Sequence, residues 1–400
     1  MSSGDSHITL STMDNKHDQA LRLKRDLTEE LTQNILPYWI NNMQDPRGGF
    51  YGRIDSADKV HPESPKGAVL NARILWTFSS AWRLLKKPDY LQMAQRAKEE
   101  VIGRFVDSEY GGVFWTVDAA DTPLDTKKQT YATAFAIYGL SEHVRATGDK
   151  ESLDMAVRLY HDIETHCADE AFGGYFEAFG RQWDRLADMR LGEKDLNASK
   201  TMNTHLHVLE AYANLYRVWP DAELAERLRT LIRLFGSRIV NPQTGRLLLY
   251  FHTDWEPYDD NTSYGHDIEA SWLLQEASSV LADKKLLDEV EPLVFRMATA
   301  LRKKAEHPVI CHLPSAQWWE YAEAVVGFFN LWQYTRDDSS LDDALCVWDF
   351  VKNHLIDHQH GEWYWSVEAD GHPSPADDKA GIWKCPYHNG RMCMEVIQRL

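Results

Sequence analysis

Two histidines stand near the starts of predicted helices, where an imidazole can act as a base or an acid. His266 lies within 263–269, and His388 follows Pro386, a residue suited to the first position of a helix. The helix dipole disfavours imidazolium at an N-terminus, so His266 is expected to stay neutral. Glu269 shares its face and is expected to orient the ring. Two histidines from separate helices suit proton removal from one face of a carbon and return to the other.

A third histidine-bearing segment runs from Asn203 to His207. On a helix His205 and His207 point roughly 200° apart, so a shared metal ion does not fit. His207 lies one turn from Asn203 and Glu210 and forms a polar stripe with them. His205 is expected to be a packed, hydrogen-bonded core residue.

Further polar and aromatic residues occur near the starts of alternate helices. If these helices form one ring, six segments deliver side chains to one mouth, as in a ligand pocket with convergent polar groups. Trp318 and Trp319 are adjacent, so only one of them is expected to face the mouth fully. Aromatic faces also stack on the apolar faces of sugar rings, and the chain has 15 Trp, 17 Tyr and 14 Phe. These additional candidates are Arg73, Tyr131, Trp318, Trp319, Glu323 and Trp383.

The elements that position these residues recur along the chain. Turns containing glycine and followed by aromatic or extended residues begin at Gly48, Gly111, Gly173, Gly245 and Gly361, so successive turns are 63, 62, 72 and 116 residues apart. The last interval is close to two units, so six units fit the chain and the fifth lacks its glycine turn. A period of this length is typical of repeat architectures.

Between the turns, apolar residues recur at helical spacing and predict two helices per unit. Six helical hairpins without a linker favour an all-α fold, the (α/α)6 barrel, with short extended aromatic turns at the active-site end; an irregular helical bundle is the alternative. Residues 1–17 are expected to be a disordered lead and 18–400 a single catalytic domain. The predicted helices are 18–41, 67–86, 88–105, 129–147, 151–167, 197–218, 222–238, 264–282, 285–305, 317–336, 340–355 and 386–399.

Composition excludes several classes of partner. With 43 basic and 61 acidic residues the net charge is −18, and no basic tract offers a surface for nucleic acid. No apolar run is long enough to span a membrane, and the first residues do not resemble a secretory signal, so a cytoplasmic location is expected. The five cysteines are widely spaced and are expected to be reduced.

Familiar cofactor motifs are absent from the sequence. There is no P-loop, no dinucleotide-binding glycine pattern, no H-E-x-x-H and no nucleophile elbow. We therefore expect no cofactor and no metal, and acid/base chemistry on a sugar-like substrate. An inverting glycosidase would instead need two facing carboxylates, for which Asp195, Glu269 and Glu323 are candidates.

At these residues the sequence resembles the N-acylglucosamine 2-epimerase superfamily. The similarity covers nearly the whole chain from about residue 20 and is most specific at 73–76, 201–212, 263–270 and 383–392. It implies an (α/α)6 barrel. It also implies reversible epimerisation at C2 of the reducing-end glucose of β-1,4-linked disaccharides, without metal or nucleotide.

The resemblance also implies roles for individual residues. His266 and His388 would be the acid/base pair on opposite faces of C2, and His207 with Arg73 would bind the ring-opened sugar near O1. Trp383 and one of Trp318 and Trp319 would stack on the two sugar rings. Tyr131, Asn203 and Glu269 would bind hydroxyl groups or orient the histidines. Glu323 and Asp195 are further candidates for substrate binding.

One stretch departs from the superfamily pattern, and other activities remain open. Residues 306–314, before the tryptophan pair, and Tyr321, after it, differ from the sequence usual in the superfamily. The substrate contacts on that side are therefore expected to differ as well. The alternatives are a mannose or other aldose–ketose isomerase, an N-acylglucosamine 2-epimerase, an inverting glycosidase, and a sugar-binding module without catalysis. The protein is expected to be a monomer or a homodimer.

Overall fold

A computed structural model of the chain describes residues 5–302, 308–312, 315–368 and 370–400. A π-helical turn, Glu30–Ile35, joins the first two α-helices into one arm, which gives the twelve predicted helical arms. The α-helices are α1 Asp5–Glu29, α2 Leu36–Asn42, α3 Ala68–Leu85, α4 Pro88–Glu100, α5 Thr130–Thr147, α6 Lys150–His166, α7 Met202–Tyr216, α8 Ala222–Leu234, α9 Tyr264–Val280, α10 Lys284–Ala300, α11 Trp318–Thr335, α12 Asp338–Phe350 and α13 Tyr387–Arg399.

The odd-numbered helices from α3 to α13 form a closed inner ring. Each packs on the next, and α13 packs on both α11 and α3. The even-numbered helices and α1 lie outside. The buried apolar side chains of the described residues form one connected cluster. The (α/α)6 barrel is therefore confirmed.

Sequence pattern explains which helices are inner and which outer. In α3 most residues are buried, including Asn71 and Arg73, because the helix faces both the ring and the outer layer. In α8 the buried residues recur at i, i+4, i+7 and i+8, one stripe of an otherwise polar helix. Aspartates at the tight turns between helices cap four outer helices: Asp149, Asp221, Asp283 and Asp337.

Short paired strands flank four of the helical hairpins in the described chain. The strand before an inner helix pairs with the strand that follows the next outer helix, as in Lys128↔Phe179. A bridge between Ile54 and Ala380 joins the last unit to the first. The strands are β1 Lys66–Gly67, β2 Thr116–Val117, β3 Pro123–Asp125, β4 Lys128–Gln129, β5 Ala178–Phe179, β6 Lys200–Thr201, β7 Tyr250–Phe251, β8 Ser315–Gln317 and β9 Ser366–Glu368.

Buried ion pairs fix the glycine turns to these strands. Lys128 is fully buried, and its Nζ donates to Asp107 Oδ2 at 2.9 Å. The other oxygen of that carboxylate accepts backbone N–H groups of the turn. The same arrangement recurs as Lys200 with Asp169 and Lys379 with Asp357, whereas Lys66 lies 3.8 Å from Asp45 and donates to Asp121.

A second repeated turn was not predicted from the sequence. Each extended segment ends in a hairpin whose fourth residue has a positive φ and is bonded back to the first, in the same register as the glycine turns. These left-handed residues are Asp58, Asp121, Trp183, Trp255 and Gly371. Two of them are tryptophans that pack over the preceding unit's glycines: Trp183 over Gly112 and Trp255 over Gly174.

Two boundaries differ from prediction. The first helix begins at Asp5 rather than at residue 18, so the expected disordered lead is helical over 5–17; no proline or glycine interrupts it between Asp5 and Glu29. Helix α7 begins at Met202 rather than at 197, because Thr201 pairs in β6 and its hydroxyl caps the helix at Thr204 N–H. No helix of the described chain combines the length and apolarity needed to cross a bilayer.

The turn at Gly173 and Gly174 offers a matched test of this interlock. Both residues have a positive φ, so alanine is strained at either position. A Cβ at Gly174 would lie 2.4 Å from Trp255 and 2.6 Å from His205, whereas a Cβ at Gly173 meets nothing within 4 Å. We expect Gly174→Ala to lower the free energy of unfolding by about 1–3 kcal/mol more than Gly173→Ala, measured by thermal unfolding. Equal losses would contradict the packing role.

Candidate active site

A cavity of about 610 Å³ opens at the N-terminal ends of the inner helices. Every inner helix contributes at least one side chain to it, so the predicted convergence of six segments at one mouth is found. The cavity is lined by Arg73, Tyr131, Gly192, Glu193, Lys194, Asp195, Asn203, His207, His266, Glu269, Gln317, Trp318, Trp319, Trp365, Trp383 and His388.

His266 is oriented by the cap of its own helix. Ser263 Oγ lies 2.9 Å from its Nδ1, and the same oxygen accepts the His266 backbone N–H. Burial lowers the pKa of His266 to about 3, with a smaller contribution from His207, so the ring is neutral as expected. The prediction that Glu269 orients this ring is wrong, because the serine hydroxyl holds Nδ1 and Arg391 binds Glu269.

His388 is held by a carboxyl group of α11. Its Nδ1 lies 2.7 Å from Glu323 Oε1. Burial, reinforced by Arg73 and Arg391, lowers the pKa of His388 well below its ordinary value. The ring of Trp319 lies near both histidines, with its centroid 4.7 Å from that of His266 and 5.8 Å from that of His388. Since Nδ1 is engaged in both residues, Nε2 is the nitrogen each can offer to a ligand.

The two histidines of α7 have the different roles that the sequence predicted. His207 lines the cavity, and its Nδ1 lies 2.9 Å from Glu210 Oε2. His205 is fully buried: its Nδ1 bonds to Thr201 O and its Nε2 accepts Tyr175 N–H. His205 is therefore a core residue that connects α7 to the preceding glycine turn.

Arg73 supplies a fixed positive charge at the cavity wall. Its Nη2 donates to Tyr131 Oη at 2.8 Å, and its guanidinium lies 4.3 Å from the Phe135 ring centroid. The backbone carbonyl of Trp383 accepts a further bond at 3.4 Å. Trp383 itself packs against Tyr131 and lines the cavity. A buried guanidinium with few acceptors is suited to an anionic oxygen of a ligand.

Arg391 lies behind the cavity and binds three carboxyl groups. Its guanidinium is fully buried and donates to Glu210, to Glu269 Oε1 at 2.7 Å and to Glu323 Oε1 at 2.6 Å. These carboxyl groups come from α7, α9 and α11, so one side chain of α13 connects three inner helices. Two of them, Glu210 and Glu323, hold the ring nitrogens of His207 and His388.

The three carboxyl groups differ in their ionisation. Burial alone would raise the pKa of Glu210, but Arg391 and hydrogen bonds from His207 and Tyr387 lower it to about 2. The pKa of Glu269 is raised by burial and by its neighbour Glu323. Burial also raises the pKa of Glu323, against the effect of Arg391. Burial thus favours the protonated form in Glu269 and Glu323, while Arg391 and its hydrogen bonds favour the ionised form in Glu210.

Both rings of the tryptophan pair line the cavity, but they do so unequally. Trp318 is buried in the wall against Trp365, whereas Trp319 is partly exposed and lies near both histidines. Both rings can reach the cavity because they occupy the first turn of α11, at its rim. Asn203 lines the cavity as predicted, and its buried Oδ1 has no bonding partner among the described residues.

Several cavity residues were not predicted. Trp365 belongs to a glycine turn that the repeat had identified, so its motif was available as a signal. Gln317 directly precedes the tryptophan pair. The loop 192–195 carried no such signal beyond Asp195, which accepts Gly192 N–H at 2.8 Å and the Tyr250 hydroxyl at 3.3 Å.

The segment that departs from the superfamily pattern leads directly into the cavity wall formed by 317–319. Tyr321 is fully buried, donates to Ile310 O at 2.7 Å and stacks on Phe350, so it is a packing residue. Within 306–314, residues 306, 307, 313 and 314 lie outside the described part of the chain.

One group of side chains at this site has the spacing of metal ligands. One ligand atom each of Glu269, Glu323 and His388 lie within 4.8 Å of one another. Arg391 already occupies a position against both carboxyl groups, so a divalent cation would have to displace a guanidinium. The donor set is better explained by the arginine than by a metal.

The chain is similar in sequence and in fold to known proteins along nearly its whole length. The chain is 52% identical to the cellobiose 2-epimerase of Bacteroides fragilis over 94% of its own length and 98% of that protein. It is 40% identical to the cellobiose 2-epimerase of Ruminococcus albus, with 94% and 98% covered. The solved structure of cellobiose 2-epimerase from Bacillus thermoamylovorans superposes with a TM-score of 0.90 at 41% identity, covering 95% of this chain and all of that one.

The family model for N-acylglucosamine 2-epimerase matches residues 49–390, which include every cavity residue named above. The chain therefore belongs to the N-acylglucosamine 2-epimerase family.

Proposed function

We propose that the protein is an isomerase that reversibly epimerises C2 of the reducing-end glucose of β-1,4-linked disaccharides, without a cofactor. Cellobiose and lactose are the substrates we expect, with glucosyl-mannose and epilactose as products. The observation that carries the proposal is the pair of neutral histidines, His266 and His388, which line one cavity and both lie against Trp319. The names of the relatives at 52% and 40% identity support the same reaction.

The proposed mechanism begins with opening of the reducing-end ring. Only the open aldehyde acidifies the proton on C2, and Arg73 with His207 would hold O1 as negative charge develops there. One histidine removes the C2 proton to give an enediolate. Rotation about C2–C3 then presents the other face to the second histidine, which returns a proton.

Other cavity residues would bind the two sugar rings. Tyr131 and Asn203 are placed to bond hydroxyl groups, and the unpartnered Oδ1 of Asn203 is an acceptor available for one. Trp383 and Trp319 offer aromatic faces for stacking. Asp195, on the loop over the cavity, would contact the outer sugar. In this proposal Glu269 and Glu323 do not contact the reacting carbon and act through the side chains they bind, Arg391 and His388.

A glycosidase fits the geometry less well. Inverting hydrolysis needs two carboxyl groups about 6.5–9.5 Å apart with room for water between them. Glu269 and Glu323 are instead bound to one guanidinium, with an oxygen of each within 4.8 Å. Because Glu323 also holds His388, loss of activity in Glu323→Gln does not separate the two reactions, and released reducing ends must be measured. A cytoplasmic location and a monomeric or dimeric state remain predictions.

The first test is proton NMR of the protein with cellobiose, lactose and mannose in D₂O, with and without a chelator. We expect deuterium at C2 of the disaccharides together with a mannose-type reducing end, unaffected by chelation. If mannose gives ketose products while the disaccharides do not react, the protein is an aldose–ketose isomerase. If new reducing ends appear, it is a hydrolase. Either result would overturn the proposal.

Replacing either histidine tests the two-base assignment. His266→Asn and His388→Asn each remove one acid/base group, so kcat for cellobiose should fall by about 10²–10⁴-fold. His372→Asn, at an exposed histidine in a hairpin turn, is the matched control and should retain full activity. Thermal unfolding of each variant would show that the fold is kept. Activity within a few-fold of the unmodified protein in either site variant would refute the assignment.

A further inference from the structure

The acid step of this mechanism needs a proton that the histidines do not hold. Two-base inversion requires one base that accepts a proton and one acid that gives a proton. Burial keeps both His266 and His388 neutral at ordinary pH. A neutral imidazole can still donate from Nε2 if its Nδ1 receives a proton at the same time. The group that faces Nδ1 therefore decides whether His388 can act as the acid.

The carboxyl group that faces His388 belongs to a cluster with surplus negative charge. Arg391 binds Glu210, Glu269 and Glu323, so three carboxyl groups share one guanidinium. All four side chains are at least nine-tenths buried. Three ionised carboxylates around one cation in a buried site are unfavourable, so the cluster retains a proton.

Hydrogen bonding indicates which carboxyl group holds this proton at rest. Glu210 is bonded to Arg391, Tyr387 and His207, which favour its ionised form. Glu323 is likewise bonded to three groups, among them Trp272 Nε1 at 3.0 Å. Among the described residues, Glu269 receives a bond from Arg391 alone. Because hydrogen bonds from donors stabilise a carboxylate, Glu269 is the member that protonates first.

The geometry also provides a path from Glu269 to His388. One atom each of Glu269, Glu323 and His388 lie within 4.8 Å of one another, a span that one water molecule can bridge. Glu269 lines the cavity, so water can reach it. Glu323 Oε1 lies 2.7 Å from His388 Nδ1, which makes the last step a direct hydrogen bond.

We propose that Glu269 stores the proton that His388 delivers to C2, and that Glu323 passes it on. This inference rests on the proposed function. With His388 in its Nε2–H tautomer, Nε2 gives its proton to C2 of the enediolate while Nδ1 accepts one from Glu323, and in the same step the ionised Glu323 takes up the proton of Glu269. The C2–H bond forms as the Nε2–H bond breaks, His388 ends as the other neutral tautomer, and the new carboxylate is stabilised by Arg391. Glu269 thus acts through His388 and needs no contact with the reacting carbon.

The relay predicts that Glu269→Gln separates proton exchange from inversion. The variant keeps His266 as a base but has no proton to supply to His388, so a proton removed by His266 returns to the same face after exchange with solvent. In D₂O, with each epimer supplied in turn, one epimer should gain deuterium at C2 without inverting. We expect the ratio of deuterated substrate to epimer to rise roughly tenfold or more over that of the unmodified protein.

Glu269→Asp is the matched control, because it keeps a titratable carboxyl group. It should retain the unmodified ratio even if its overall rate falls. If Glu269 only supports the fold, exchange and inversion will fall together and the ratio will stay constant, which would refute the relay. Failure of the proposed function is distinguishable, since the unmodified protein would then place no deuterium at C2.

An infrared difference spectrum tests the stored proton without turnover. The spectrum of the unmodified protein minus that of Glu269→Gln, at neutral pH, should contain the C=O stretch of a protonated carboxyl group, shifted in D₂O. Glu269→Asp should retain a band of this kind. A difference spectrum with only carboxylate bands would show that Glu269 is ionised, and would overturn the proposal even if either variant were unstable.

Discussion

The site depends on one buried guanidinium. Arg391 connects α13 to carboxyl groups from α7, α9 and α11, and two of those carboxyl groups set the orientation of His207 and His388. Replacing it with a neutral side chain would leave three buried carboxyl groups without their cation, a change that typically costs about 3–5 kcal/mol. The arginine thus closes the ring of helices and sets the electrostatics of the cavity at the same time. Stability and chemistry are coupled through this one side chain.

Buried lysine–aspartate pairs recur in the repeated units and are lost together where a unit lacks one member. Three units place a buried lysine two residues before the inner helix and an aspartate in the glycine turn. The fourth unit has Thr262 in place of the lysine, and Asn241 takes the aspartate's place while still accepting the N–H groups of the turn. A buried aspartate without its lysine would be an uncompensated charge. The unit therefore lacks both members of the pair and keeps the turn.

Much of this architecture could be predicted because it is periodic. Helical spacing and recurring glycines indicated twelve helices whose polar residues meet at one end of the barrel. The side-chain caps at which helices begin are short-range signals. The errors concern single contacts. Helical spacing predicted that Glu269 orients the His266 ring, but Ser263 holds the ring at Nδ1. The carboxyl group of Glu269 is bound instead by Arg391, which lies 122 residues away in the sequence. The Arg391 cluster joins residues that only the closed ring brings together, so no local pattern could reveal it.

The position of α13 in the chain has a consequence for synthesis. His388 and Arg391 lie within the last helix, and α13 also completes the ring by packing on α3 and α11. A nascent chain that has formed the first five units holds His266 and the tryptophans but neither the second base nor the cation that orders the carboxyl groups. Catalytic competence therefore requires that α13 docks on α3 and α11. Any truncation that removes α13 abolishes the active site together with the closure of the barrel.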